Sequence, residues 1–87
     1  MIARYRIGLA QAPTPDLVPQ LRNYGEYLHG VLGSKAHLNM AEIDAATECF
    51  WVEVSDKRYL GEVAAVLKKG TRPHVSDSHF TLERARQ

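Results

Sequence analysis

The sequence predicts a small α+β domain, an antiparallel sheet carrying two helices on one face. Three observations predict it. Residues 3–10 and 50–54 alternate apolar and polar side chains with a period of two, the pattern of half-buried strands. Residues 17–31 and 60–67 repeat apolar side chains at helical spacing. The chain has 87 residues, room for one domain and not for two ordinary ones.

The first strand follows from Ala3, Tyr5, Ile7 and Leu9 alternating with Arg4, Arg6, Gly8 and Ala10. Residues 11–15 break it. Thr14 is placed to cap a helix, Pro15 suits a first turn, and Asp16 favours the positive end of the helix dipole. Leu17, Leu21, Tyr24, Leu28 and Val31 then form one apolar stripe, with Tyr27 beside it and exposed. Gly25 and Gly30 weaken this helix by about 1 kcal/mol each relative to alanine. Gly33 is the expected terminator, with Gly30 as an earlier stop.

Phe50, Val52 and Val54 alternate with Trp51 and Glu53 in a strong strand. Ala36, Leu38 and Met40 pattern a weaker one. A turn through residues 44–46 would join the two as a hairpin, pairing Met40 with Phe50 and Leu38 with Val52. That register also sets Glu42 opposite Glu48, an unfavourable like-charge pair, and the turn lacks Asn-Gly or Asp-Gly. The rival is a short helix over 40–46, a segment rich in Ala, Glu and Met. The hairpin is the preferred reading.

Asp56 caps the next helix, whose stripe is Leu60, Val63, Ala64 and Leu67. Lys68 and Lys69 suit its last turn and Gly70 stops it. Residues 71–78 read as loop. Residues 79–84 alternate weakly, with Phe80 and Leu82 on one side, and read as an edge strand or a partly docked tail. The last residues are expected to fray. The domain thus spans 1–72, followed by 73–87 as a partly ordered segment or edge strand. The order is βαββα with a short optional sixth element. Such an order forms a ferredoxin-like two-layer sandwich, in which the first and third strands are central neighbours.

Composition excludes several classes. With 45% hydrophobic and 24% charged residues the chain is globular. The net charge of +1 does not argue for nucleic acid. Residues 1–55 carry −2 and residues 56–87 carry +3, a mild asymmetry best read as solvated surface. The single cysteine, Cys49, permits no internal disulfide, which points to a reducing, cytoplasmic setting. No apolar run approaches the roughly 18 residues of a membrane span, so no membrane partner is expected, and the start lacks the pattern of a signal peptide.

No local motif points to chemistry. His74 and His79 are separated by four residues, half of a zinc pattern, with no cysteine pair to complete it. Cys49 and His37 lie too far apart in the hairpin to act as nucleophile and base, since Cys49 falls opposite Ala41. Asp44, Glu42 and Glu48 cluster at a surface turn, where little burial is available to separate their pKa values. Glycine-rich phosphate loops are absent. Lys57, Arg58, Lys68, Lys69 and Arg72 span both ends of one helix rather than one patch. The expectation is a chain with no catalytic residue, no metal and no cofactor.

What stands out is the outward face of the two central strands: Arg4, Arg6, Cys49, Trp51 and Glu53. Trp and Arg are favoured at interface centres, because they combine apolar area with a polar handle. A domain of this size buries only about 60–65% of its unfolded surface, so covering that face would help it. The leading expectation is a non-enzymatic interaction domain that forms a homo-oligomer, a dimer first, or takes a protein partner. The same face with its one tryptophan is a poorer platform for single-stranded nucleic acid, the first alternative. A third reading has Trp51 covered by the C-terminal segment through Phe80. The remaining alternative is a small-ligand or enzyme site at a dimer seam, which a cleft holding His29, His37 or Asp44 would favour.

Overall fold

The computed structural model describes residues 2–70 and 79–85. Six elements follow in the order β1 (Ala3–Leu9), α1 (Leu17–Leu32), α2 (Met40–Asp44), β2 (Cys49–Val54), α3 (Leu60–Gly70) and β3 (Phe80–Arg84), with short 3₁₀ turns at Gly33–Lys35 and Lys57–Tyr59. The fold is α+β. Its sheet has the order β2-β1-β3, and both pairings are antiparallel.

The strands form where period two is strongest. Ala3, Tyr5 and Ile7 of β1 and Phe50, Val52 and Val54 of β2 are buried, while their alternates are at most half-buried, apart from Gly8. β3 pairs along β1 with Phe80 and Leu82 half-buried, as an edge strand over 79–84 predicts. The expectations for loop 71–78, and for fraying at residues 86–87, lie outside the described residues.

The helices of the described chain pack on one face. Leu21, Leu28 and Leu32 of α1, Ile43 of α2, and Val63 and Leu67 of α3 cluster with the inward residues of β1 and β2. Thr14 starts α1: its Oγ1 and its carbonyl both accept the Leu17 N–H, at 3.1 and 3.2 Å. Gly33, with φ of 55°, ends the helix in a backbone conformation that a side chain would disfavour. Asp56 caps the Lys57–Tyr59 turn through the Arg58 N–H at 2.9 Å.

Two expectations are corrected. The apolar stripe of α1 runs through Leu17, Leu21, Gly25, Leu28 and Leu32; Val31 faces out, and Tyr24 is half-buried. The reason is Gly25. A Cβ there would lie 2.6 Å from Ile43 Cγ2, so the missing side chain is what lets α2 sit against α1.

The second correction concerns residues 36–46 and turns the expected βαββα order into βααβαβ. The hairpin shrinks to one bridge. His37 and Glu53 exchange both backbone hydrogen bonds, at 2.7 and 3.0 Å, in the expected register. Beyond Leu38 the chain leaves the sheet and forms α2. Asn39 Oδ1 accepts the Glu42 N–H at 3.1 Å as a helix cap. Glu42 then turns its carboxylate to the edge of β2, where Oε1 accepts the Trp51 N–H at 3.2 Å. The helix thereby removes the Glu42–Glu48 opposition that the hairpin would have carried. It also supplies a side-chain acceptor for an edge N–H that the missing strand leaves open. Arg22 Nε donates to the Ala46 carbonyl at 2.9 Å and ties the exit of α2 to α1.

Candidate functional site

The outward face of the sheet is built by the strand period alone. The register sets Arg4 opposite Glu53, Arg6 opposite Trp51 and Gly8 opposite Cys49, so the five residues expected to share a face do so. β3 adds Glu83 opposite Arg6 and Thr81 opposite Gly8. Those two were legible only through the weak alternation of residues 79–84.

Arg4 and Trp51 are diagonal neighbours across the β1–β2 pair. The Arg4 guanidinium carbon lies 3.9 Å from the centre of the Trp51 ring, a cation–π contact worth about 0.5–1 kcal/mol at a partly exposed site. Arg4 Nε is 3.8 Å from Glu53 Oε1, within ion-pair range but too long for a hydrogen bond. That Nε is shielded from solvent and has no hydrogen-bond partner. The guanidinium of Arg6 lies back over Gly8, where a Cβ would stand 2.5 Å from Nη1. Trp51 is therefore covered in part by Arg4. Phe80 does not cover it: that ring is on the helix side, stacked on Tyr24 at 5.0 Å between centroids.

The residues weighed for chemistry are dispersed. Cys49 pairs with Gly8, and His37 pairs with Glu53 four residues further along β2. Glu42 serves the sheet edge, while Asp44 and Glu48 are exposed on either side of the α2–β2 connection. Among the described residues no three His, Cys, Asp or Glu side chains are placed to hold a metal ion. His74 and Arg72 lie outside those residues. No helix among them is long and apolar enough to cross a membrane.

His29 and His37 both line a polar cleft of about 300 Å³ at the end of α1, together with Asp56 and Lys35. Asp44 is not part of it. Its strongest charges are engaged elsewhere. Lys35 Nζ pairs with Glu62 Oε1 at 2.6 Å, and Asp56 Oδ2 with Arg58 Nη2 at 2.7 Å. The side-chain and then the backbone hydrogen bonds from Arg58 hold the Asp56 carboxyl below the usual carboxylate range. Among the described residues no carboxylate pairs with either imidazole.

A second, largely apolar groove of about 420 Å³ runs between α1 and the end of α3. Tyr24 stands at its base, in ring contact with Tyr27, Phe50 and Phe80. Burial, with the Tyr27 phenol as a smaller cause, pushes the Tyr24 hydroxyl up to about 12. Sequence reasoning missed this groove, because it depends on the spacing between two helices and on Val31 facing outward. Comparison with known protein families, curated proteins and solved structures gives no match.

Proposed function

We propose that the chain is a small non-enzymatic interaction domain that self-associates through the open face of its sheet. We read its architecture as a variant of the ferredoxin-like sandwich, in which residues 36–38 stand where the second strand would be. The observation that carries the functional reading is the Arg4–Trp51 pair, at the centre of a face against which no described helix packs. Such pairs are typical anchors of protein interfaces.

Charge favours a second copy over a polyanion. Arg4 and Arg6 are matched on the same face by Glu53 and Glu83. A face with two arginines and two glutamates carries both signs of charge that a twofold axis, bringing each patch against its own copy, can pair. Single-stranded nucleic acid would meet those two carboxylates and only one ring to stack on, and phosphate binding needs a surplus of positive charge.

Sedimentation equilibrium at micromolar concentration tests the reading. The expected result is a dimer for the wild-type chain. Trp51→Ala and the charge reversal Arg6→Glu are expected to give monomers with unchanged far-ultraviolet circular dichroism. A wild-type chain that is strictly monomeric, and indifferent to both substitutions, would sink the homodimer. Salt-sensitive binding of oligonucleotides lost in the same variants would transfer the face to nucleic acid.

A further inference from the structure

β3 has a neighbour on one side only. It pairs with β1, and among the described residues no strand lies beyond it. The Ala10–His79 and Ala85–Arg4 backbone hydrogen bonds, both 2.8 Å, fix which residues of β3 bond inward. In an antiparallel ladder the bonded residues alternate, so His79, Thr81, Glu83 and Ala85 turn their N–H and C=O groups to β1. Phe80, Leu82 and Arg84 turn theirs outward, where no described group receives them. Such a row is a template for another strand.

We propose that β3 pairs with β3 of a second copy, antiparallel, about a twofold axis through Leu82. That register sets Leu82 opposite Leu82 and Phe80 opposite Arg84 of the copy, and it bonds every outward-turned group of the three residues. The side chains agree with it. Phe80, Leu82 and Arg84 share the face of Ile7 and Tyr5, so an arginine meets an aromatic ring at each end of the pairing. On the other face Glu83 meets Thr81 of the copy and keeps its own Arg6 on the inner side. Sliding by two residues loses a bonded pair. In one direction the slide also sets Glu83 against Glu83, a like-charge opposition. In the other it leaves Arg84 without a described residue opposite. α3 permits the approach. It turns Val66 and Lys69 to the α1 groove, and its far flank carries Gly61 and Ala64. Nothing lies within 4 Å of the place a Cβ of Gly61 would take. The axis stands perpendicular to the sheet, so the pairing leaves both open faces uncovered, and it does not rest on the face contact proposed above. A strand of five residues buries little surface, so the pairing is weak, on the order of 0.1–1 mM.

The test uses the ¹⁵N-labelled full chain carrying Trp51→Ala, which takes the open face out of play. Amide exchange with water is read by NMR at about 20 µM and about 1 mM. The amides of Phe80, Leu82 and Arg84 are expected to exchange at least about twofold more slowly in the concentrated sample. Those of Thr81 and Glu83, bonded to β1, are expected to be slow in both. In a mixture of labelled and unlabelled chains, an intermolecular NOE between the α-protons of Thr81 and Glu83 reads the register. Arg84→Pro removes an outward N–H and keeps every bond to β1. It is expected to abolish the concentration dependence at Phe80 and Leu82 while Thr81 and Glu83 stay slow. Exchange that does not depend on concentration overturns the proposal. So does the same slowing in Arg84→Pro, or an intermolecular NOE that pairs β3 with any other segment.

Discussion

Gly25 looks, on helix propensity alone, like a residue to improve. An alanine in mid-helix gains about 1 kcal/mol over glycine. Here the added methyl would lie 2.6 Å from Ile43 Cγ2 and 3.2 Å from its Cγ1, and Ile43 is fully buried. Ile43 belongs to the core cluster, where overpacking of this kind typically costs about 1–3 kcal/mol. Gly25→Ala is therefore expected to lower stability by about 1 kcal/mol net, read as a lower urea midpoint. A rise in the midpoint would mean that α2 yields easily. Gly30, a few residues along the same helix, has nothing within 4 Å of the place a Cβ would take, and Gly30→Ala is the matched control. The two glycines read alike in the sequence. They differ because of a contact with a helix eighteen residues downstream.

The elements show where local pattern suffices. β1 and β2 were legible because one side of each is buried, and any slip by one residue would turn Phe50 or Ile7 out to solvent. The face of Arg4, Arg6, Cys49, Trp51 and Glu53 came with them, since it is the other half of the same alternation. The segment 36–46 was not legible as a unit, because it is two things. Its first residues pair with β2 through His37, in the register the apolar pattern demands, and its remainder is helical. A helix of five residues is not stable by itself. α2 is held by the buried Ile43, by the Asn39 cap and by the Glu42–Trp51 hydrogen bond. Glu42→Ala removes the last of these while leaving a good helix former in place. It is expected to cost about 1 kcal/mol in urea unfolding and to speed hydrogen exchange at the Trp51 amide. An unchanged Trp51 exchange rate would show that the hydrogen bond does not protect that edge.

At the scale of the whole molecule, Tyr24 is where α1 meets β2, β3 and the end of α3, through its contacts with Phe50, Phe80 and Gly70. Burial disfavours its charged, deprotonated form, so the folded chain holds the proton to about 12 where the ordinary value is 10.0. Below about pH 10 both folded and unfolded chains are protonated at this residue, and its contribution to stability is intact. As pH rises through 10 toward 12 the unfolded chain loses the proton first, and stability falls. The urea midpoint is expected to drop between about pH 10 and pH 12, and to drop less in Tyr24→Phe. Equal slopes for the two chains would contradict the burial of that hydroxyl. The groove that exposes Tyr27 and Val31 belongs to this scale too. No single segment encodes it, which is why the sequence did not show it.

The helix that replaces a strand also limits how the sheet could be extended at its edges. On the β2 side, His37 and the Glu42 carboxylate occupy hydrogen-bonding positions that a neighbouring chain would need. On the β3 side, the alternation fixed by the Ala10–His79 and Ala85–Arg4 hydrogen bonds turns the backbone groups of Phe80, Leu82 and Arg84 away from β1. Among the described residues the sheet is stoppered on one side and open on the other, an arrangement that could be extended once, antiparallel to its own copy, before no free margin was left. Strand addition to the described sheet, were it to occur, would end at two copies.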